Sequence, residues 1–237
     1  MTELVGDEFL RAWWATVGCH LVLWRNGVYH RDINPSNLLY YRDEKGNVVG
    51  ILIDFDLAST GRAQRITGAA PFMALDLLTD KALRGANVQH LYEHDAESFV
   101  WVLTWICLRY SDGKHLKNES LDKWLKGDAK TCRKEKGYLF FCSPSLLKDE
   151  NYPPGKGHEF HLKIAQTYLV SIYAAWAMRD FERSSQWGLG PGKPMGLGEP
   201  MGPGAVFKKL FIDPIREEYR ESVFAGQDLV ALTGDRV

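Results

Sequence analysis

Apolar residues recur at three- and four-residue steps between residues 7 and 26, at Phe9, Leu10, Trp13, Trp14, Val17, Leu21 and Leu23–Trp24. That spacing predicts an amphipathic helix. Asn26-Gly27 predicts its end, because glycine adopts the left-handed conformation a helix terminus commonly needs. Two short apolar runs, Leu38–Tyr41 and Val48–Ile53, flank the polar stretch Arg42–Asn47 and predict a β-hairpin. Met73–Leu83 reads as a short helix. Tyr92–Arg109 carries apolar side chains on nearly every face from Phe99 to Leu108, which predicts a helix buried at the centre of the domain. Residues 111–158 mix charges, glycine and proline with short amphipathic pieces around 121–125 and 139–141. Helical spacing returns over Glu159–Phe181. The fold class predicted is mainly α (α+β), with one small hairpin and no internal repeat.

Two stretches break the pattern. Residues 57–72 hold few large apolar side chains and read as a surface loop. Residues 184–206 are rich in glycine and proline and read as an irregular linker or insertion. No strand precedes the glycines of that second stretch, so they do not make a phosphate-binding loop. A closing helix is expected over Val206–Tyr219, kinked at Pro214. The chain therefore divides into a lobe over 1–183, the linker over 184–206, and a helix and tail of the same lobe over 207–237. At 237 residues it is long enough for a substantial core.

Composition narrows the function classes. With 29 basic against 30 acidic residues, neither a general nucleic-acid binder nor an anionic-membrane binder is indicated. Phe99–Leu108 is too short to span a bilayer. The N-terminus has neither a basic start nor an apolar run, so the expected location is intracellular, cytoplasmic or nuclear. The four cysteines form no Cys-x-x-Cys pair. Cys19, Cys107 and Cys142 read as buried free thiols, and Cys132, in a basic stretch, as exposed.

The chemistry is concentrated in His30-Arg31-Asp32-Ile33-Asn34-Pro35-Ser36-Asn37 and, further on, Asp54-Phe55-Asp56. An Asp and an Asn five apart on a loop, with a further Asp at a strand end, is the equipment of phosphoryl transfer. The first Asp orients the attacking hydroxyl, while the Asn and the other Asp hold Mg²⁺ on nucleotide phosphates. The predicted hairpin ties Asn37 to Asp54, and Pro35 stiffens the span between Asp32 and Asn37.

Four pieces, in order over residues 7–110, resemble the large C-terminal lobe of a protein kinase, and more narrowly the fungal-type protein kinase family. They are Val28–Asp32 through Asn37-Leu38-Leu39; Leu52–Ala58; Thr67–Leu78, with Pro71-Phe72-Met73-Ala74 typical of the fungal group; and His94–Phe99. The resemblance implies ATP and Mg²⁺ as cofactors and a protein Ser/Thr hydroxyl as acceptor. It makes Asp32 the catalytic-loop acid, and Asn37 and Asp54 the metal and nucleotide ligands. Arg31 becomes the reader of a phosphorylated loop residue, with Thr60 and Thr67 as phosphate acceptors. Asp95 is implied to lock the catalytic loop through its backbone, against a simpler reading as a helix N-terminal acid. Asp76 stands where kinases carry a Glu paired with a distant Arg, against a simpler reading as a surface acid. His30 reads as a structural core histidine.

The departures point the other way. Asn34 stands where Ser/Thr kinases place a Lys, and brings no positive charge to the transferring phosphoryl. Ala69 replaces a Thr whose hydroxyl would position Asp32. The 29 residues before His30 read as helix, with no Gly-x-Gly-x-x-Gly, so the small N-terminal lobe that clamps the nucleotide is expected to be absent. Three readings follow: a protein kinase lobe that is impaired or needs a complementing N-lobe or regulatory partner, an inactive pseudokinase-like binding module, and a small-molecule kinase of the aminoglycoside or choline type.

Overall fold

The computed structural model describes residues 1–55, 69–84, 89–185 and 201–233. It opens with helix α1, Gly6–Arg25, which carries Asp7 and Glu8 in its first turn and Arg25 in its last, each favourable to the helix dipole. Gly27, at φ +81°, ends it. The Val28 N–H returns to the Leu23 carbonyl and the Gly27 N–H to the Trp24 carbonyl, both at 3.0 Å.

The expected hairpin is present as β1, Leu38–Arg42, antiparallel to β2, Val48–Leu52, with Leu38 opposite Leu52. Asp43 shapes its turn by accepting the Lys45 and Asn47 N–H groups at 2.9 and 2.8 Å. Helix α1 lies directly on β2. A Cβ at Gly50 would stand 1.9 Å from the Ala12 carbonyl oxygen, so only glycine permits this approach.

The helix expected over 73–83 is two pieces, a 3₁₀ turn at Leu75–Leu78 and a single α-turn, α2, at Asp80–Leu83. Thr79 divides them because it is extended and its hydroxyl accepts the Ala82 N–H at 3.3 Å. Helix α3, Tyr92–Arg109, is buried at every residue except Glu93. It leads into a ribbon, β3 (Tyr110–Ser111) and β4 (Lys114–His115), too short for a periodic signal. Residues 111–158 are more helical than the pattern suggests. Asn118 and Asp128 cap α4 (Glu119–Lys126) and α5 (Ala129–Cys142) by accepting the Leu121 and Thr131 N–H groups.

Helix α6, Glu159–Ser185, runs past its expected end at Phe181. Of the expected linker, residues 186–200 lie outside the described residues, and its last part is already helical from α7, Pro203–Phe207. A π-turn at Lys208–Ile212 follows, then α8, Glu217–Val223, and α9, Leu229–Thr233. The single kinked helix expected over 206–219 is thus broken around Pro214, which has no N–H to continue a ladder.

The core gathers on Trp13. Its ring stacks on Tyr168 of α6 and meets Phe99 of α3 and Phe211 of the π-turn edge-on, with centroids 5.9 to 6.4 Å away. The cysteine expectations are reversed at two positions. Cys19 is exposed, on the outer side of α1, whereas Cys132 is fully buried because α5 turns that side against the segment from Ala69 to Leu75. Among the described residues no helix is long and apolar enough to cross a membrane.

Two buried histidines join α1 to α6. His158 and His161 share one hydrogen bond between Nδ1 atoms 3.0 Å apart. Burial, then the neighbouring His158, pushes His161 down to about 4, and burial lowers His158 as well.

Gly50→Ala should cost about 2–3 kcal/mol in urea unfolding, because a methyl is forced against backbone. Gly46→Ala, where φ is +80° but the surroundings are open, should cost about 1 kcal/mol. The histidine pair makes a second prediction. Its pKa values are lower in the fold than in the unfolded chain, so stability is full above about pH 6.5 and falls as pH drops towards 4. His161→Gln should flatten that dependence of Tm on pH.

Candidate active site

The loop from His30 to Asn37 is held from below by α3. Asp95, 1% exposed, accepts the Arg31 backbone N–H at 3.1 Å on Oδ2, and the same oxygen accepts His20 Nε2 at 2.9 Å. Its other oxygen accepts His90 Nε2 at 2.6 Å. Burial opposes the charge, but His90 and the hydrogen bonds from His20 and His90 outweigh it, holding Asp95 well below the usual carboxylate range. Arg31 sits at φ +68°, a strained conformation for a side-chain-bearing residue that this bond helps to fix. Its side chain is also buried, with the guanidinium 5.8 Å from the Tyr29 ring centre.

His30 links the loop to the hairpin. Its Nε2–H donates to the Ile53 carbonyl at 2.9 Å, leaving Nδ1 to accept the Asp32 N–H at 3.3 Å. Burial lowers its pKa and keeps it neutral, so it is a structural bridge. The Ile53 N–H donates to the Asn37 carbonyl at 3.0 Å, which continues the β1–β2 pairing by one step. Asp54 therefore begins beside Asn37, at φ +65° and exposed to solvent.

Asp32 and Asn37 meet directly. Asn37 Nδ2 donates to the Asp32 carbonyl at 2.9 Å and to Oδ2 at 3.4 Å. The other carboxylate oxygen, Oδ1, accepts the Ala69 N–H at 3.1 Å. Ala69 lacks the Thr hydroxyl that kinases use to position this acid, and its backbone amide holds the acid instead. Asn34 is turned inward. Its Oδ1 accepts the Ser36 N–H at 3.0 Å and the Ser36 hydroxyl, and its Nδ2 points back to the Asp32 carbonyl. Both ends of that side chain are thus occupied within the loop.

Residues 6–107 match the family model for fungal protein kinases. This segment is kinase-like. The resemblance carried by the motifs is borne out over that stretch, which contains Asp32, Asn37, Asp54 and Asp95. A search of curated proteins finds no match to the chain.

Asp76 does not join the kinase-like loop. It sits in the Leu75–Leu78 turn and lines, with Glu97, Ile172, Val206 and Leu210, a separate cavity of about 320 Å³. Between Asp32, Ala69, Met73 and Asp95 there is about 10 Å³, room for one water. Thr60, Thr67 and Asp56 lie outside the described residues. The sequence reading missed His20, His90 and the Ala69 amide. His20 left a signal, a polar residue on the buried face of α1 in step with Trp13 and Val17; the other two left none.

Asp95→Ala should destabilise the fold by about 3–5 kcal/mol, since it strips a buried charge from its partners. In hydrogen exchange, the Arg31 amide should lose protection before the amides of α3 do.

Proposed function

We propose that the kinase-like segment binds Mg-ATP and transfers its terminal phosphoryl group to a protein Ser or Thr hydroxyl, at a rate reduced by what the described residues do not supply. The observation that carries this reading is the Asp32 carboxylate, held by the Ala69 and Asn37 N–H groups, with Asp54 at the adjoining strand end. Two N–H donors leave Asp32 able to orient an acceptor hydroxyl and take its proton. Donation from Asn37 Nδ2 leaves its Oδ1 with only a long contact from the Ser36 hydroxyl at 3.5 Å, so Asn37 and Asp54 would offer two hard oxygen ligands. Such a partial set suits Mg²⁺, which keeps water and phosphate oxygens in its shell. When bound, the metal neutralises phosphate charge.

The expected slowness rests on two features. Asn34 is uncharged and its amide is committed inside the loop. The strands among the described residues form only two two-stranded ribbons, and neither is the larger sheet that roofs a kinase nucleotide. A complementing nucleotide-roofing lobe would raise the rate. The same two features favour a second reading, a kinase-derived binding module that holds nucleotide or protein without transfer.

Thermal melting at millimolar Mg-ATP tests nucleotide binding. A site with Kd near 0.1 mM should raise Tm by about 3 °C, and Asp54→Asn should remove the rise. Labelled-phosphate transfer to a mixed protein substrate then separates the readings. Transfer that Asp32→Asn abolishes, with the thermal shift intact, is expected for the kinase. A shift without transfer leaves the binding module, and no shift at all contradicts both nucleotide readings.

A further inference from the structure

Lys136 of α5 is fully enclosed. Its ammonium donates to the Met73 carbonyl and lies 4.3 Å from the centre of the Trp101 ring. Burying a lysine cation is costly unless it is paired and hydrogen-bonded, and a Met or Leu would fill the same space more cheaply. Burial accordingly lowers Lys136 to about 8, against the supporting charge of Glu97.

Glu97 is the other half of the device. Also buried, it accepts the Leu75 N–H and the Trp101 Nε1–H on one oxygen, both at 2.9 Å. A cation and an anion thus grip the two ends of Met73-Ala74-Leu75, one through a carbonyl and one through an amide. The grip extends upstream. Cys132, one turn before Lys136, donates its thiol to the Ala70 carbonyl at 3.4 Å, and Phe72 packs edge-on against Trp105. The Phe72 N–H closes a turn on the Ala69 carbonyl at 2.9 Å. Immediately before that turn stands the amide that holds Asp32.

We propose that Lys136 is a positioning residue for Asp32, which by holding the Met73 carbonyl keeps the Ala69 amide on the Asp32 carboxylate. The inference rests on the reading of Asp32 as the catalytic acid. It makes α5, outside the matched kinase-like segment, part of the machinery of the site.

The test is Lys136→Met, which keeps the length of the side chain and removes its charge and donor. Residue-resolved hydrogen exchange should show the Ala69 amide exchanging at least about tenfold faster, with the amides of Phe99–Leu103 unchanged. Lys136→Arg, which restores a cationic donor, should recover part of the protection. Equal Ala69 protection in Lys136→Met and the parent overturns the proposal. If Lys136→Met does not fold, the coupling is read from the other end, because it must be reciprocal. Asp32→Asn should then shift the titration of Lys136 followed by NMR, and an unchanged titration overturns the proposal. In a parent that transfers phosphate, Lys136→Met should lower kcat about tenfold with KM for ATP unchanged. A parent without transfer would strike the proposed reaction, and the Ala69 amide would still decide the clamp.

Discussion

The kinase-like loop depends on one buried carboxylate. Asp95 sits on the central helix with almost no access to water, and accepts the Arg31 amide together with two histidine rings. A buried carboxylate without such donors would take up a proton or force the fold apart. With them it stays ionised, and an ionised acceptor binds an amide more strongly than a neutral one. That strength is spent on Arg31, whose left-handed backbone turns the chain immediately before Asp32. The two histidines come from α1 and from just before α3, so the site is anchored to the core from two directions.

Around this anchor, backbone groups take part in most of the placing contacts. The Ile53–Asn37 bond carries the hairpin register up to the loop, His30 spans the same gap from the other side, and Gly50 lets α1 sit against β2. The Asp32 carboxylate is fixed by the Ala69 backbone amide, which any residue but proline could provide. That explains how the segment tolerates alanine where a threonine was expected, and it moves the burden of alignment onto whatever holds the 69–75 segment. Among the groups that hold it are the Glu97 carboxylate and the Lys136 ammonium.

Much of this was legible in the sequence, and the parts that were not have a physical reason. Long periodic elements, α1 and α3, fell close to their expected bounds, because an apolar stripe and a wholly apolar run are strong signals. The hairpin was legible from its polar turn. The break at Thr79 and the helix starts at Asn118 and Asp128 rest on single side-chain caps, which a periodicity reading passes over. Cys132 was misleading, and Lys136 gave no signal, for a common reason. They lie in a run of charges that looks solvated, yet their polar ends meet the carbonyls of a buried loop segment. The matched kinase-like segment ends at residue 107, whereas the helix that carries Lys136 lies beyond it.

The central claim is that an ionised Asp95 holds the loop in place. Titrating the Asp95 side-chain carboxyl by ¹³C NMR tests it most directly, in protein labelled at aspartate and assigned by comparison with Asp95→Asn. The account predicts a chemical shift that stays at the ionised value as pH is lowered through 4, with no inflection until the fold itself begins to give way. An ordinary titration near pH 4 in the folded protein would contradict it, because the loop would then keep its shape without the charge.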